Sequence, residues 1–194
     1  MGGMDENGVS ALLMAVYRGD ADAVAAILAS GPELNIFEAC AVGDVDRVRA
    51  LVDADPGLAR AFAPDGFHPL GLAAFFKHPE VVTLLIAAGA DVSAPSRNAM
   101  KVTALHSAIA GQDRESTLAL IAAGADVNVA QQDSFTALHE AAQNGDWEIV
   151  DALIAAGADR SPALSDGSRP ADLARTHGHA ELAEHLEQIA ARSG

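Results

Sequence analysis

The chain has 194 residues, half of them apolar and a fifth charged, a composition that builds a folded core and excludes a disordered polymer. Twelve Lys and Arg against 27 Asp and Glu give a formal charge of -15, which repels phosphate backbones and argues against nucleic acid as a partner. The single Cys40, apolar runs too short for a bilayer, and an opening Met1-Gly2-Gly3-Met4-Asp5-Glu6 with neither a signal-peptide nor a myristoylation pattern lead to the expectation of a soluble, cytoplasmic chain with no membrane association.

In chain order, a first helix opens at Ser10, whose hydroxyl suits an N-cap, and a second follows over Ala21 to Ser30. Gly31-Pro32-Glu33-Leu34-Asn35 then leads straight into another unit. That unit ends Asp53-Ala54-Asp55-Pro56-Gly57, and its second helix must stop at Pro56, because the proline ring blocks continuation. From here the chain repeats itself closely. His68-Pro69-Leu70-Gly71-Leu72-Ala73-Ala74, Thr103-Ala104-Leu105-His106-Ser107-Ala108 and Thr136-Ala137-Leu138-His139-Glu140-Ala141-Ala142 are one recurring phrase. Val81 to Val92, Thr117 to Asn128 and Val150 to Asp159 are another, each containing Gly-Ala-Asp. Aligned on Leu12, Ile36, Leu70, Leu105, Leu138 and Ala171, the units are spaced by 24, 34, 35, 33 and 33 residues.

Each unit reads as two helices and a turn. The first helix runs through small residues such as Ala141 and Ala142, which let a neighbouring helix come close, and it stops at a glycine such as Gly145. The second, for example Asp146 to Ile154, has an acidic first turn that suits the helix dipole and closes at Gly157. Asp65-Gly66 and Asp166-Gly167 supply turn chemistry between units. The last unit opens with Arg169-Pro170-Ala171-Asp172 and ends in the polar stretch Glu181 to Glu187, which reads as a cap facing water.

These phrases resemble the ankyrin repeat, whose pattern has a Thr-Pro-Leu-His start, an Ala-Ala pair, a Gly and a Gly-Ala-Asp end; the likeness runs from about Asn7 to Leu186. The alanine-rich, acidic flavour resembles bacterial members of that family. The resemblance implies an all-α solenoid of about six stacked helix-turn-helix units joined by hairpin-like fingers. It makes 1–194 a single domain with units at about 5–35, 36–64, 65–99, 100–132, 133–165 and 166–191. The short first spacing leaves no room for a finger between the first two units. By the same resemblance His106 and His139 are structural and tie neighbouring loops by hydrogen bonds, while Thr103 and Thr136 look like helix-start caps.

Enzymatic signatures fail one by one. His139-Glu140-Ala141-Ala142-Gln143 opens like a zinc-protease helix, but Gln143 stands where the second His must be. His177, His179 and His185 with Glu181 fit known zinc spacings loosely and read as solvated. No phosphate-binding, dinucleotide-binding or Gly-x-Ser-x-Gly motif occurs, and Cys40 aligns with the small-residue pair and reads as core. No catalytic residue, metal or cofactor is expected.

A partner is expected instead, and the resemblance places it on the face of the first helices and finger tips. The matching positions are Val9, Tyr17 and Arg18; Ala41 and Val42; Phe67, Phe75 and Phe76; Val102, Ala110 and Gly111; Phe135, Gln143 and Asn144. Four of the six Phe, at 62, 67, 75 and 76, fall within fifteen residues. They either form an outward hot spot or pack on one another beneath the neighbouring finger. That finger, Ala94 to Lys101, is two residues longer than the next and carries Arg97 and Lys101 in a stretch free of acidic residues. An apolar patch rimmed by Arg97, Asn98, Met100 and Lys101 is therefore the expected contact for a protein partner, in preference to the first two units. The chain is expected to be a monomeric adaptor or, alternatively, a regulatory or inhibitory subunit of one enzyme.

Overall fold

The computed structural model describes residues 8–192, with side chains to residue 189. Residues 5–7 of the first expected unit, and the opening sequence read for targeting signals, lie outside the described residues. Among the described residues twelve α-helices form six pairs: α1 (Ala11–Tyr17) with α2 (Ala21–Ala29), α3 (Ile36–Val42) with α4 (Val45–Ala54), α5 (Pro69–Phe75) with α6 (Pro79–Ala87), α7 (Ala104–Ala110) with α8 (Arg114–Ala122), α9 (Ala137–Asn144) with α10 (Trp147–Ala155), and α11 (Pro170–Thr176) with α12 (Ala180–Arg192). The first helix of each pair packs on the first helix of the next, from α1 through α11. No strand forms among the described residues, although an isolated antiparallel bridge joins Ala130 and Thr136.

Local chemistry sets the helix ends. The Ser10 hydroxyl accepts from the Leu13 N–H at 3.2 Å and starts α1. Second helices start at aspartates: Asp20, Asp44, Asp113 and Asp146 each accept the N–H of the residue three further on, joining cap to dipole. α4 ends at Ala54, and Pro56 opens a 3-10 turn that runs to Arg60. The first two units connect through residues 30–35, where Asn35 caps α3 reciprocally with Glu38 and Leu34 is buried. No finger projects there.

Packing follows the repeat. Leu70, Leu105 and Leu138 make one ladder and Leu85, Leu120 and Leu153 another, all essentially without solvent exposure. Between them the alanines at 73, 74, 108, 141 and 142 are buried completely, so each first helix can lie against the next. Cys40 belongs to this core, and burial pushes its thiol well above the usual range. α12 is not wholly polar: Leu182, Ala183 and Leu186 are buried, and His185 meets Asp151 at 3.0 Å and the Trp147 ring at 5.1 Å. It closes the stack with an apolar face and turns its charges to water.

The turn inside each pair requires a left-handed residue. Gly19, Gly43, Gly145 and Gly178 provide it in four pairs, whereas Lys77 and Gln112 occupy the equivalent position in the third and fourth at φ 63° and 56°. A side chain there costs about 1–2 kcal/mol locally, and glycine would return roughly 0.5–1 kcal/mol of it as unfolded-state entropy. Gln112→Gly should therefore raise stability by about 0.5–1 kcal/mol in urea titration, and a destabilised variant would refute this account of the turn. Ending the chain after Ser165 should uncover α9 and α10, including Val150 and Leu153. Such a chain should aggregate or melt earlier, and a monomer with unchanged Tm would remove the capping role of the last pair.

Candidate partner-binding site

Side chains of the first helices and of the fingers enclose a cavity of about 370 Å³. Tyr17 from α1, Leu72, Phe75 and Phe76 at the end of α5, Ala110 from α7 and Glu140 from α9 line it, with Phe67, Met100, Val102 and Gln131 contributed by the fingers. Its walls are apolar apart from Ser107, Gln131, Glu140 and the Tyr17 ring edge. A concave apolar space of this size with a few polar groups has the usual form of a binding site.

The aromatic wall is a connected set. Tyr17 stacks on Phe76 with centroids 6.1 Å apart and planes 15° apart, and meets Phe67 edge-on at 6.5 Å. Phe75 and Phe76 are perpendicular at 5.1 Å. Tyr17 donates its hydroxyl to Asp65 Oδ2 at 2.7 Å, so the first unit is clasped to the turn that precedes the third. Burial, and then the bonded and charged Asp65, hold that hydroxyl far above its ordinary pKa. Gly111 is needed at the edge of the wall: a Cβ there would sit 2.4 Å from the Phe75 carbonyl oxygen.

The residues expected from sequence separate into two groups. Phe67, Phe75, Phe76 and Met100 line the cavity, with Phe75 47% and Met100 51% exposed while Phe67 and Phe76 are half-buried. Of the expected rim, Arg97, Asn98 and Lys101 do not line it with Met100. The Arg97 guanidinium stacks over Phe62 at 3.9 Å, while the main-chain N–H of Arg97 donates to Gly66 O at 2.8 Å. Asn98 donates from Nδ2 to Asp65 O and accepts from Ser96 Oγ and the Met100 N–H, holding the finger's own shape. Lys101 is exposed at φ 52° and does not line the cavity. Phe135 stacks on His139 at 5.6 Å, Gln143 is half-buried, and Asn144 donates to Ile109 O at 3.3 Å, away from the aromatic wall. Tyr17, from the first unit that sequence reasoning set aside, joins the third-unit phenylalanines instead.

Glu140 is the residue whose part sequence reasoning missed, since it was weighed only as a fragment of a failed zinc motif. It sits in the first turn of α9, and its Oε2 is removed from solvent without a hydrogen bond. Burial alone raises its carboxyl to about 7. One signal was available: a lone acid placed between buried neighbours, His139 and Ala141, in an alanine-rich helix.

The histidines behave as scaffold, with a difference from expectation. His106 Nδ1 lies 2.8 Å from the Thr103 hydroxyl and accepts the Thr103 N–H at 3.4 Å; His139 does the same with Thr136 at 2.9 and 3.2 Å. These rings close the start of their own helix. His106 Nε2 reaches no neighbouring loop and is buried without a bond, and burial lowers its pKa to about 4. For His139 burial again dominates and lowers the pKa, opposed by the backbone of Ser168 and Pro162 in the next finger. In the last pair, His177 engages Leu173 O, His185 engages Asp151, and His179 lies over Gly145. Among the described residues no group of three His, Cys, Asp or Glu could hold a metal ion.

A family model described as ankyrin repeats in three copies matches residues 36–131 and again 105–191. This chain belongs to the ankyrin-repeat family. A curated relative, the transient receptor potential cation channel subfamily A member 1 of Drosophila melanogaster, is 32% identical over 103 residues, covering 46% of the chain but 9% of that protein. No helix among the described residues is long and apolar enough to cross a membrane. The likeness spans less than half of this chain and a small part of that protein.

The Glu140 carboxyl gives a pH signature. Its folded pKa lies above its unfolded value, so the folded state holds a proton that the unfolded state releases, and stability falls as pH rises between about 4.5 and 7. Relative to pH 4, wild type at pH 8 should lose about 3 kcal/mol more than Glu140→Gln. Parallel stability–pH curves for the two proteins would show that the carboxyl is well solvated.

Proposed function

We propose that this chain is a non-catalytic, monomeric, cytoplasmic module that binds a protein partner through the aromatic cavity on its first-helix and finger face. Ankyrin repeats are general protein–protein interaction modules, so the class of function comes with the family. The observation that carries the location is the wall of Tyr17, Phe67, Phe75 and Phe76 around an open apolar cavity. A large exposed apolar surface costs a lone protein free energy, and aromatic side chains in concave settings are the residues that dominate binding when truncated. Arg97 and Asn98 contribute indirectly, by fixing the finger that carries Met100.

The test is affinity capture on immobilised chain from the native host, followed by calorimetry with whatever protein is captured in stoichiometric amount. Phe76→Ala, verified as folded by circular dichroism, should weaken binding by on the order of 2 kcal/mol, roughly 30-fold. Lys101→Ala should change affinity several-fold at most, mainly through association rate. Equal affinity for wild type and folded Phe76→Ala would move the site elsewhere.

A further inference from the structure

The cavity holds one group that its own chain leaves without a partner. Glu140 Oε2 is inaccessible to solvent and accepts no hydrogen bond, although the residue belongs to a wall that is apolar apart from Tyr17, Ser107 and Gln131. Nothing charged in the chain offsets this, since burial is the sole cause that shifts the carboxyl. A buried acceptor left open carries a desolvation penalty that an incoming donor removes. The aromatic residues that line the same cavity favour a cation over a neutral donor, and a chain of net charge -15 draws cations toward it.

We propose that the partner segment seated in this cavity presents a lysine, its ammonium received by Glu140 and its alkyl stem lying along the Phe75–Phe76–Met100 wall. This rests on the partner-binding reading given above. Lysine fits better than arginine on a donor count. An ammonium has three donors, and besides Tyr17, whose hydroxyl already donates to Asp65, three polar side chains line the cavity, Glu140, Ser107 and Gln131. A guanidinium would bring five donors into the same space and leave some unsatisfied. The four-carbon stem of lysine supplies the apolar length that the wall can cover.

The probe is 4-phenylbutylammonium, compared with the uncharged 4-phenylbutan-1-ol, titrated at pH 8 into the full chain and followed by NMR at cavity residues. Wild type should bind the ammonium at least ten-fold more tightly than the alcohol. Glu140→Gln should lose that preference while still binding the alcohol, and because it removes one of 27 acidic groups, the loss cannot come from the general field of the protein. Equal binding of the two probes to wild type, an ammonium preference retained in Glu140→Gln, or no response of cavity resonances to the ammonium would each overturn the proposal. Its failure is separable from failure of the binding site itself: a partner still lost on Phe76→Ala leaves the cavity as the site and removes only the lysine.

Discussion

The close approach of successive first helices is the constraint on which the rest of the molecule depends. It is possible because alanines at 73, 74, 108, 141 and 142 present nothing larger than a methyl group between neighbouring helices. With that distance short, the flanking leucines of adjacent pairs interlock in two ladders, each fully buried leucine contributing about 2 kcal/mol of transfer free energy. The ends of the same helices are thereby brought side by side on one face. Tyr17 and Phe76, separated by 59 positions, become ring neighbours only because two helix-to-helix steps between them are short.

Once the stack is fixed, its polar groups divide into those satisfied internally and those that are not. Aspartates cap the second helices, Thr–His boxes close two first helices, and Asn98, Asn128 and Asp65 tie fingers to neighbouring units. Asp65 illustrates the economy of this scheme, accepting the Tyr17 hydroxyl with one oxygen and the Phe67 N–H with the other. Glu140 stands outside it. A carboxyl held near neutrality by burial, in a helix that the framework needs, is a local cost that packing alone does not explain.

The histidines show how one residue type serves two ends in a single fold. His68, His106 and His139 sit at helix starts with lowered pKa values, where a neutral ring can accept from the backbone through Nδ1. His78 and His179 lie against the glycine turns of the preceding and neighbouring pairs, and a Cβ on Gly43 or Gly145 would overlap their rings. Both uses depend on the shape of the ring and on the contacts that hold it.

By itself the sequence determined the repeat, the helix pairs, the missing first finger, the stop at Pro56 and the core role of Cys40. These are consequences of short-range chemistry, in which periodic apolar residues, caps and breakers act within a turn or two of where they stand. The phenylalanine cluster was legible for the same reason, since four rings within fifteen residues are a local fact. What the tertiary structure decided was which way those rings and their neighbours face. Arg97 turned onto Phe62, Asn98 was engaged by its own finger and by Asp65 of the preceding turn, Tyr17 came in from two units away, and Glu140 met the cavity wall. Each of these depends on the angle and distance between units that share no sequence neighbourhood. That geometry is set by packing summed along the stack, and no single stretch of residues encodes it.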